Sequence, residues 1–173
     1  MANLVIRVTI LLSLIISLVI MVSNSATLVG LYGESTVRYK NVNSYRYMVT
    51  SAVLGMIYSL LQIPVATQRV TGGKTLPNSA RLLQFDFYGD KVLLSLLATG
   101  VGAAFGATVD LKKNFDALDD LLEQFGSASL SQWRTKLDNF FNVAYLSTGF
   151  LLVAFLTSIV SSTLSSPALS KKG

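Results

Sequence analysis

The chain has 173 residues, of which 51% are hydrophobic and 13% charged, with a net charge of +5 and a mean hydropathy of +0.55, too apolar for an ordinary soluble domain. Cysteine and histidine are both absent, which excludes disulfides, thiol chemistry, Cys-ligated metal or haem sites and histidine-based catalysis or metal binding. The Lys and Arg residues are spread over every loop without a dense run, so the positive charge suits anionic lipid and not nucleic acid.

Four apolar stretches, residues 4–23, 47–65, 88–109 and 140–164, hold about 18–25 residues each, enough to cross a hydrocarbon core of roughly 30 Å. They predict an all-α membrane protein, a four-transmembrane-helix bundle forming a single domain over residues 1–173. Span one carries Thr9, Ser13 and Ser17 every four residues, a hydroxyl stripe of the kind that faces neighbouring helices. It is expected to be a retained span. The small residues Ser23, Ser25 and Ala26 would suit signal cleavage, but the run Val8–Val22 is long for a signal sequence and little precedes Arg7.

In the first loop, residues 24–46, the segment Thr36–Lys40 alternates with β-branched and aromatic residues and reads as a short strand or extended segment. Tyr39, Tyr45 and Tyr47 suit the headgroup level. Span two places Ser51, Gly55 and Ser59 at four-residue spacing, a surface for close helix packing, and Pro64 falls near its predicted end. The second loop, residues 66–87, contains Gly72-Gly73 and Pro77 and reads as irregular.

Span three bears the small-xxx-small run Gly102-Ala103-Ala104-Phe105-Gly106, which Ser95 and Thr99 extend backwards. Packing within one chain is the preferred reading of this face, and contact between two chains is the alternative. In the third loop, residues 110–139, Leu111, Phe115, Leu118, Leu122 and Phe125 form the seam of an amphipathic helical extension. Asp116, Asp119, Asp120 and Glu123 read as its solvated face, since they lack the ligand order of a calcium loop. Gly126 is its natural stop, Ser131 a cap for the last helix, and Trp133 an interfacial anchor.

Arg7 and Asp90 each stand within about one turn of the start of their span. Spans one and three point the same way, so the two charges lie at similar depth on the same side. An ionised group inside a span costs roughly 2.5–3.5 kcal/mol and needs a partner or a route to water. A bidentate guanidinium–carboxylate pair satisfies both groups. The alternative is that Arg7 snorkels while Asp90 meets Lys91 or water.

These features resemble the Casparian strip membrane domain-like (CASP-like) proteins of plants. The resemblance rests on four spans, Arg7, Tyr45-Arg46-Tyr47-Met48-Val49, Tyr58-Ser59 and Phe85-Asp86-Phe87-Tyr88-Gly89-Asp90. It implies both termini in the cytosol, hence outer loops 24–46 and 110–139 and a cytosolic loop 66–87. It also implies kinship with MARVEL four-span proteins, a plasma-membrane location, homo- or hetero-oligomers with related four-span proteins, and no enzymatic activity. Its best-known members form scaffolds that exclude lipids and proteins and recruit wall-modifying enzymes. The paired-Phe and Pro signature of the Casparian members is missing from the first loop, Ala26-Thr27-Leu28-Val29-Gly30-Leu31-Tyr32-Gly33-Glu34, as are their loop-three cysteines. A CASP-like relative is therefore expected, and not a Casparian strip member. Charge counting leans slightly against cytosolic termini, with Arg38, Lys40, Arg46, Lys112, Lys113, Arg134 and Lys136 in the loops so assigned to the outside.

The functional expectation is a non-enzymatic membrane scaffold, with membrane lipid and other four-span chains as partners and no catalytic, cofactor or metal site. A small transporter or channel subunit is the alternative, if the hydroxyl stripes line a common path. No carboxylate, Asn or Gln sits at midspan to support it.

Overall fold

The structure, a computed structural model, describes residues 2–30, 33–71, 80–124 and 131–170. Helix α1 (Ala2–Ser23) leads into strands β1 (Ser25–Gly30) and β2 (Gly33–Arg38), then α2 (Asn43–Thr71), α3 (Ala80–Gln124) and α4 (Ser131–Ser170). Four segments are long and apolar enough to cross a membrane: Leu4–Ser23, Asn43–Thr67, Phe87–Leu122 and Trp133–Thr163. The protein is a multi-pass helical bundle. Each helix packs on two neighbours in the ring α1–α2–α3–α4, which closes through α1 and α4. Helices α1 and α3 therefore sit on a diagonal.

The bundle turns its aliphatic side chains both ways. Ile10, Leu14, Met48, Leu97 and Leu151 are buried at its centre, whereas Leu12, Val19, Leu54, Leu61 and Val92 point outward. The outward set matches a lipid surroundings, where apolar exposure carries no penalty. Small residues set the helix spacing. A Cβ on Gly55 would meet Leu14 and Leu93 Cδ1 atoms at 3.1 Å, and one on Gly100 would meet Ser51 Cβ and Oγ at 3.2 Å.

The strand reading of the first loop holds for Thr36–Arg38, which belong to β2, and β1 is its partner. The two strands form an antiparallel hairpin running from Ser25 opposite Arg38 to Gly30 opposite Gly33. Asn24 ties it down by donating from Nδ2 to the Phe140 carbonyl at 2.8 Å, and Lys136 Nζ donates to the Thr27 carbonyl at 3.0 Å.

Helix α2 continues through Pro64 to Thr71, beyond the end expected near Val65. A proline there removes the donor for the Leu60 carbonyl without stopping the helix. Helix α3 starts at Ala80 and runs 45 residues to Gln124, so span three and its amphipathic extension are one rod of about 67 Å. The turn residues Gly72, Gly73, Pro77 and Gly126 lie outside the described residues.

Candidate functional site

The richest polar cluster lies inside the bundle near the start of α1 and the start of the membrane-spanning part of α3. Arg7 donates from Nη1 to Asp90 Oδ1 at 2.9 Å and from Nη2 to Asp90 Oδ2 at 3.1 Å. The pair spans the diagonal between α1 and α3, and both residues are buried, at 8% and 3% exposure. The long arginine side chain reaches across the ring of packed helices, and its planar fork matches both carboxylate oxygens at once.

The cluster extends to α2. Tyr58 donates its hydroxyl to Asp90 Oδ1 at 2.8 Å, and Gln62 Nε2, one turn on, donates to that hydroxyl at 2.8 Å. The Arg7 guanidinium stands 5.9 Å from the centre of the Tyr58 ring. The Tyr58 ring fits because residue 89 has no side chain. A Cβ on Gly89 would fall 2.5 Å from Tyr58 Cε2 and 2.6 Å from its hydroxyl. Three helices are thus pinned at one level by a continuous network of charged and polar groups, satisfied where water is scarce.

Sequence reasoning placed Arg7 opposite Asp90 but missed Tyr58 and Gln62 as their partners. Their i, i+4 spacing puts Tyr58 and Gln62 on one face of α2, but nothing in it points that face at Asp90.

A second set of polar clasps fixes the remaining neighbours. Ser17 and Ser147 exchange bonds between α1 and α4, each hydroxyl donating to the other's carbonyl at 2.8 and 2.7 Å. At the opposite end of the bundle from Arg7, Tyr45 is fully buried, with its hydroxyl 2.9 Å from Thr108 Oγ1 and its ring 6.1 Å from Phe140. Tyr45 is a core residue, not the interfacial ring expected, because its turn of α2 faces α3 and α4.

Of the expected packing residues, Ser51, Gly55 and Ser59 are buried on one face of α2. Ser95, Thr99, Gly102 and Gly106 are all exposed on the outer face of α3. Packing of that face inside one chain, the preferred reading of the sequence, is corrected: a Cβ on Gly102 or Gly106 would meet nothing within 4 Å. The opposite stripe of Leu93, Leu97, Gly100, Ala104 and Thr108 is buried in the bundle instead. Thr99 does meet one neighbour, the Tyr47 hydroxyl at 2.8 Å.

The acidic cluster also departs from a uniformly solvated face. Asp119 is buried and receives Arg134 Nη1 at 3.1 Å, with Asp116 3.9 Å from the same guanidinium, while Lys112 lies 3.4 Å from Asp138. These pairs join the extension of α3 to the start of α4. Among the described residues no group of three acidic side chains gathers as a metal site.

A model of the Casparian strip membrane protein domain matches residues 1–160. CASP-like protein 4D1 of Ricinus communis is 37% identical over 172 residues, covering 99% of this chain and 93% of that protein. The Arabidopsis thaliana proteins CASP-like 4D1 and 4D2 are 38% and 36% identical over 159 residues, or 92% of this chain and 82% and 84% of theirs. No solved structure matches the chain.

Proposed function

The chain belongs to the Casparian strip membrane protein domain family, and from that premise we infer that it is a non-enzymatic plasma-membrane scaffold that assembles with copies of itself or related four-span chains. Both termini lie in the cytosol in this reading. The observation that carries it is the outer face of α3. Ser95, Thr99, Gly102 and Gly106 recur at spacings of four, three and four, exposed to the surroundings and open above both glycines. In lipid such faces let two helices approach closely enough for backbone contact, where van der Waals packing drives association. The Arg7–Asp90–Tyr58 network supports the same reading from inside. It holds the bundle as a stiff unit, which presents that face at a fixed angle.

Three hydroxyls of the stripes that would serve a transporter already have partners in the bundle. Ser17 bonds α4, Ser51 bonds the Tyr47 carbonyl and packs on Gly100, and Thr9 bonds the Val5 carbonyl. The deciding experiment compares wild type with Gly102→Leu/Gly106→Leu by native size in mild detergent and by fluorescence recovery after photobleaching in plant cells. Wild type is expected as a slowly diffusing oligomer and the variant as a faster, smaller species. A wild-type protein that is monomeric and freely diffusing would overturn the scaffold reading.

A further inference from the structure

The last turn of α1 and the foot of the β-hairpin enclose a cavity of about 310 Å³, lined by Val22, Ser23, Ser25, Arg38, Tyr39 and Lys40. Ser23 ends the membrane-spanning segment Leu4–Ser23. Ser25 opens β1 directly opposite Arg38, the last residue of β2. The Arg38 amide then donates to Asn41 Oδ1 at 3.1 Å, across the single turn Tyr39–Asn41 that brings Tyr39 and Lys40 to the same place.

Two cations line this cavity and no anion does. Among the described residues neither the Arg38 guanidinium nor the Lys40 ammonium has a carboxylate within ion-pair distance. Lys40 Nζ stands 6.0 Å from the centre of the Tyr39 ring, a contact that leaves its charge in place. Glu34, the only acid in the first loop, stands opposite Val29, four residues along the strand from Arg38 or about 13 Å away. The carbonyl end of α1 brings about half a negative charge, too little to balance two full positive ones.

The place of the cavity says which anion is at hand. Val22 is exposed on the lipid-facing side of α1 and forms one wall, so the cavity opens onto the membrane surface where the apolar span stops. The abundant anion at that level is the phosphate of a lipid headgroup. Arg38 bonds two phosphate oxygens through one planar fork, Lys40 adds a point charge, and Ser23 and Ser25 have hydroxyls to donate.

We propose that this cavity is a phosphate site, filled by the headgroup of a phospholipid in the leaflet on the hairpin side. The site needs neither self-assembly nor a particular orientation of the hairpin. The test takes the full chain in dodecyl maltoside, a detergent without phosphate, and measures binding by isothermal titration calorimetry. The titrants are dioctanoyl phosphatidylglycerol, dioctanoylglycerol and inorganic phosphate. Phosphatidylglycerol is expected to saturate a single site and to bind more weakly as salt rises. Dioctanoylglycerol, with the same chains and no phosphate, should leave that site empty. Arg38→Gln and, separately, Lys40→Gln should each weaken phosphatidylglycerol binding about tenfold, the equivalent of roughly 1.4 kcal/mol. Both side chains are exposed, so each variant should melt with wild type. Arg46→Gln removes an exposed cation outside the cavity and should bind as wild type does. Inorganic phosphate is expected to bind more weakly than the lipid; equal affinity would keep the phosphate site and overturn the headgroup as its source. No saturable binding of either phosphate by wild type, unchanged affinity in either cavity variant, or an equal loss in Arg46→Gln would overturn the site.

Discussion

Asp90 accepts two bonds from Arg7 and one from Tyr58 at a place where neither charge meets bulk water. Removing one member of such a pair strands the other, which typically costs about 3–5 kcal/mol, more than the pair's net contribution to stability. Arg7→Ala is therefore expected to destabilise the bundle by about that amount in unfolding measured in mixed micelles. Arg7→Met with Asp90→Leu should cost less than Arg7→Ala alone, because no charge remains to be stranded. Equal stability of Arg7→Ala and wild type would mean that the pair holds nothing. Gly89 offers a sharper test of the same network. An added methyl at that position collides with the Tyr58 ring, and the ring can move only by giving up its bonds to Asp90 and Gln62. Gly89→Ala should thus be clearly destabilising in the wild-type background and nearly silent in Tyr58→Ala. Additive effects in that double-mutant cycle would show that the glycine matters for some other reason. The ion pair was legible in the sequence because depth follows directly from position in two parallel spans. Tyr58 and Gln62 were not, since the depth of a residue on the intervening antiparallel helix depends on where α2 enters the membrane. Pro64 gave a false end for that helix.

At the scale of elements, periodicity says which residues share a face but not which way the face looks. Ser95, Thr99, Gly102 and Gly106 share one stripe of α3, and Leu93, Leu97, Gly100, Ala104 and Thr108 share another. In water the small polar stripe would be the outer one. In lipid either can be, because leucine inside and leucine outside cost about the same. Only the contacts of α3 with α2 and α4 decide, and they select the second stripe. The extension of α3 was easier to read, since beyond Asp110 the rod meets water and an amphipathic seam has one way to face. Its acidic side was misread at one position. Asp119 turns inward to Arg134, a partner 15 residues away across the third loop that no helix period encodes. Asp119→Ala is expected to loosen the join between α3 and α4 without disturbing the membrane bundle. Hydrogen exchange should then rise over about residues 111–122 and 133–138 and stay unchanged around Arg7 and Asp90. Protection unchanged across the extension would show that this ion pair contributes no order there. Arg134 itself is half exposed, so its outer contact with Asp116 is screened and adds little.

For the molecule as a whole, four antiparallel crossings place the hairpin and the α3 extension on one side of the membrane, and the far end of α2 on the other. The two polar layers follow from that arrangement. Arg7, Tyr58 and Asp90 close the bundle near one face, Tyr45 and Thr108 close it near the opposite face, and Ser17 with Ser147 joins α1 to α4 between them. A bundle held at both ends by directional bonds keeps its helices in register although its aliphatic core is as slippery as the surrounding lipid. The absence of cysteine makes this topology directly measurable, because any thiol introduced is the only one in the chain. Thr36→Cys on β2, Lys113→Cys on the α3 extension and Thr67→Cys near the end of α2 all alter exposed side chains. In intact plant protoplasts a membrane-impermeant maleimide should label Thr36→Cys and Lys113→Cys from outside, and Thr67→Cys only after the membrane is opened. Labelling of all three from the same side would break the four-span topology. The reverse pattern, with Thr67→Cys alone reached from outside, would keep the bundle but invert it. The charge distribution leans towards that inverted result, whereas the proposed function has the hairpin outside. The positive-inside rule counts loop charges as if each were free, and here Lys112 and Arg134 are paired with Asp138 and Asp119, whereas Lys136, bonded to the neutral Thr27 carbonyl, keeps its charge. With those two discounted, Arg38, Lys40, Arg46, Lys113 and Lys136 on the hairpin side stand against Arg69, Lys74, Arg81, Lys171 and Lys172 on the other, so charge favours neither orientation and the labelling pattern decides.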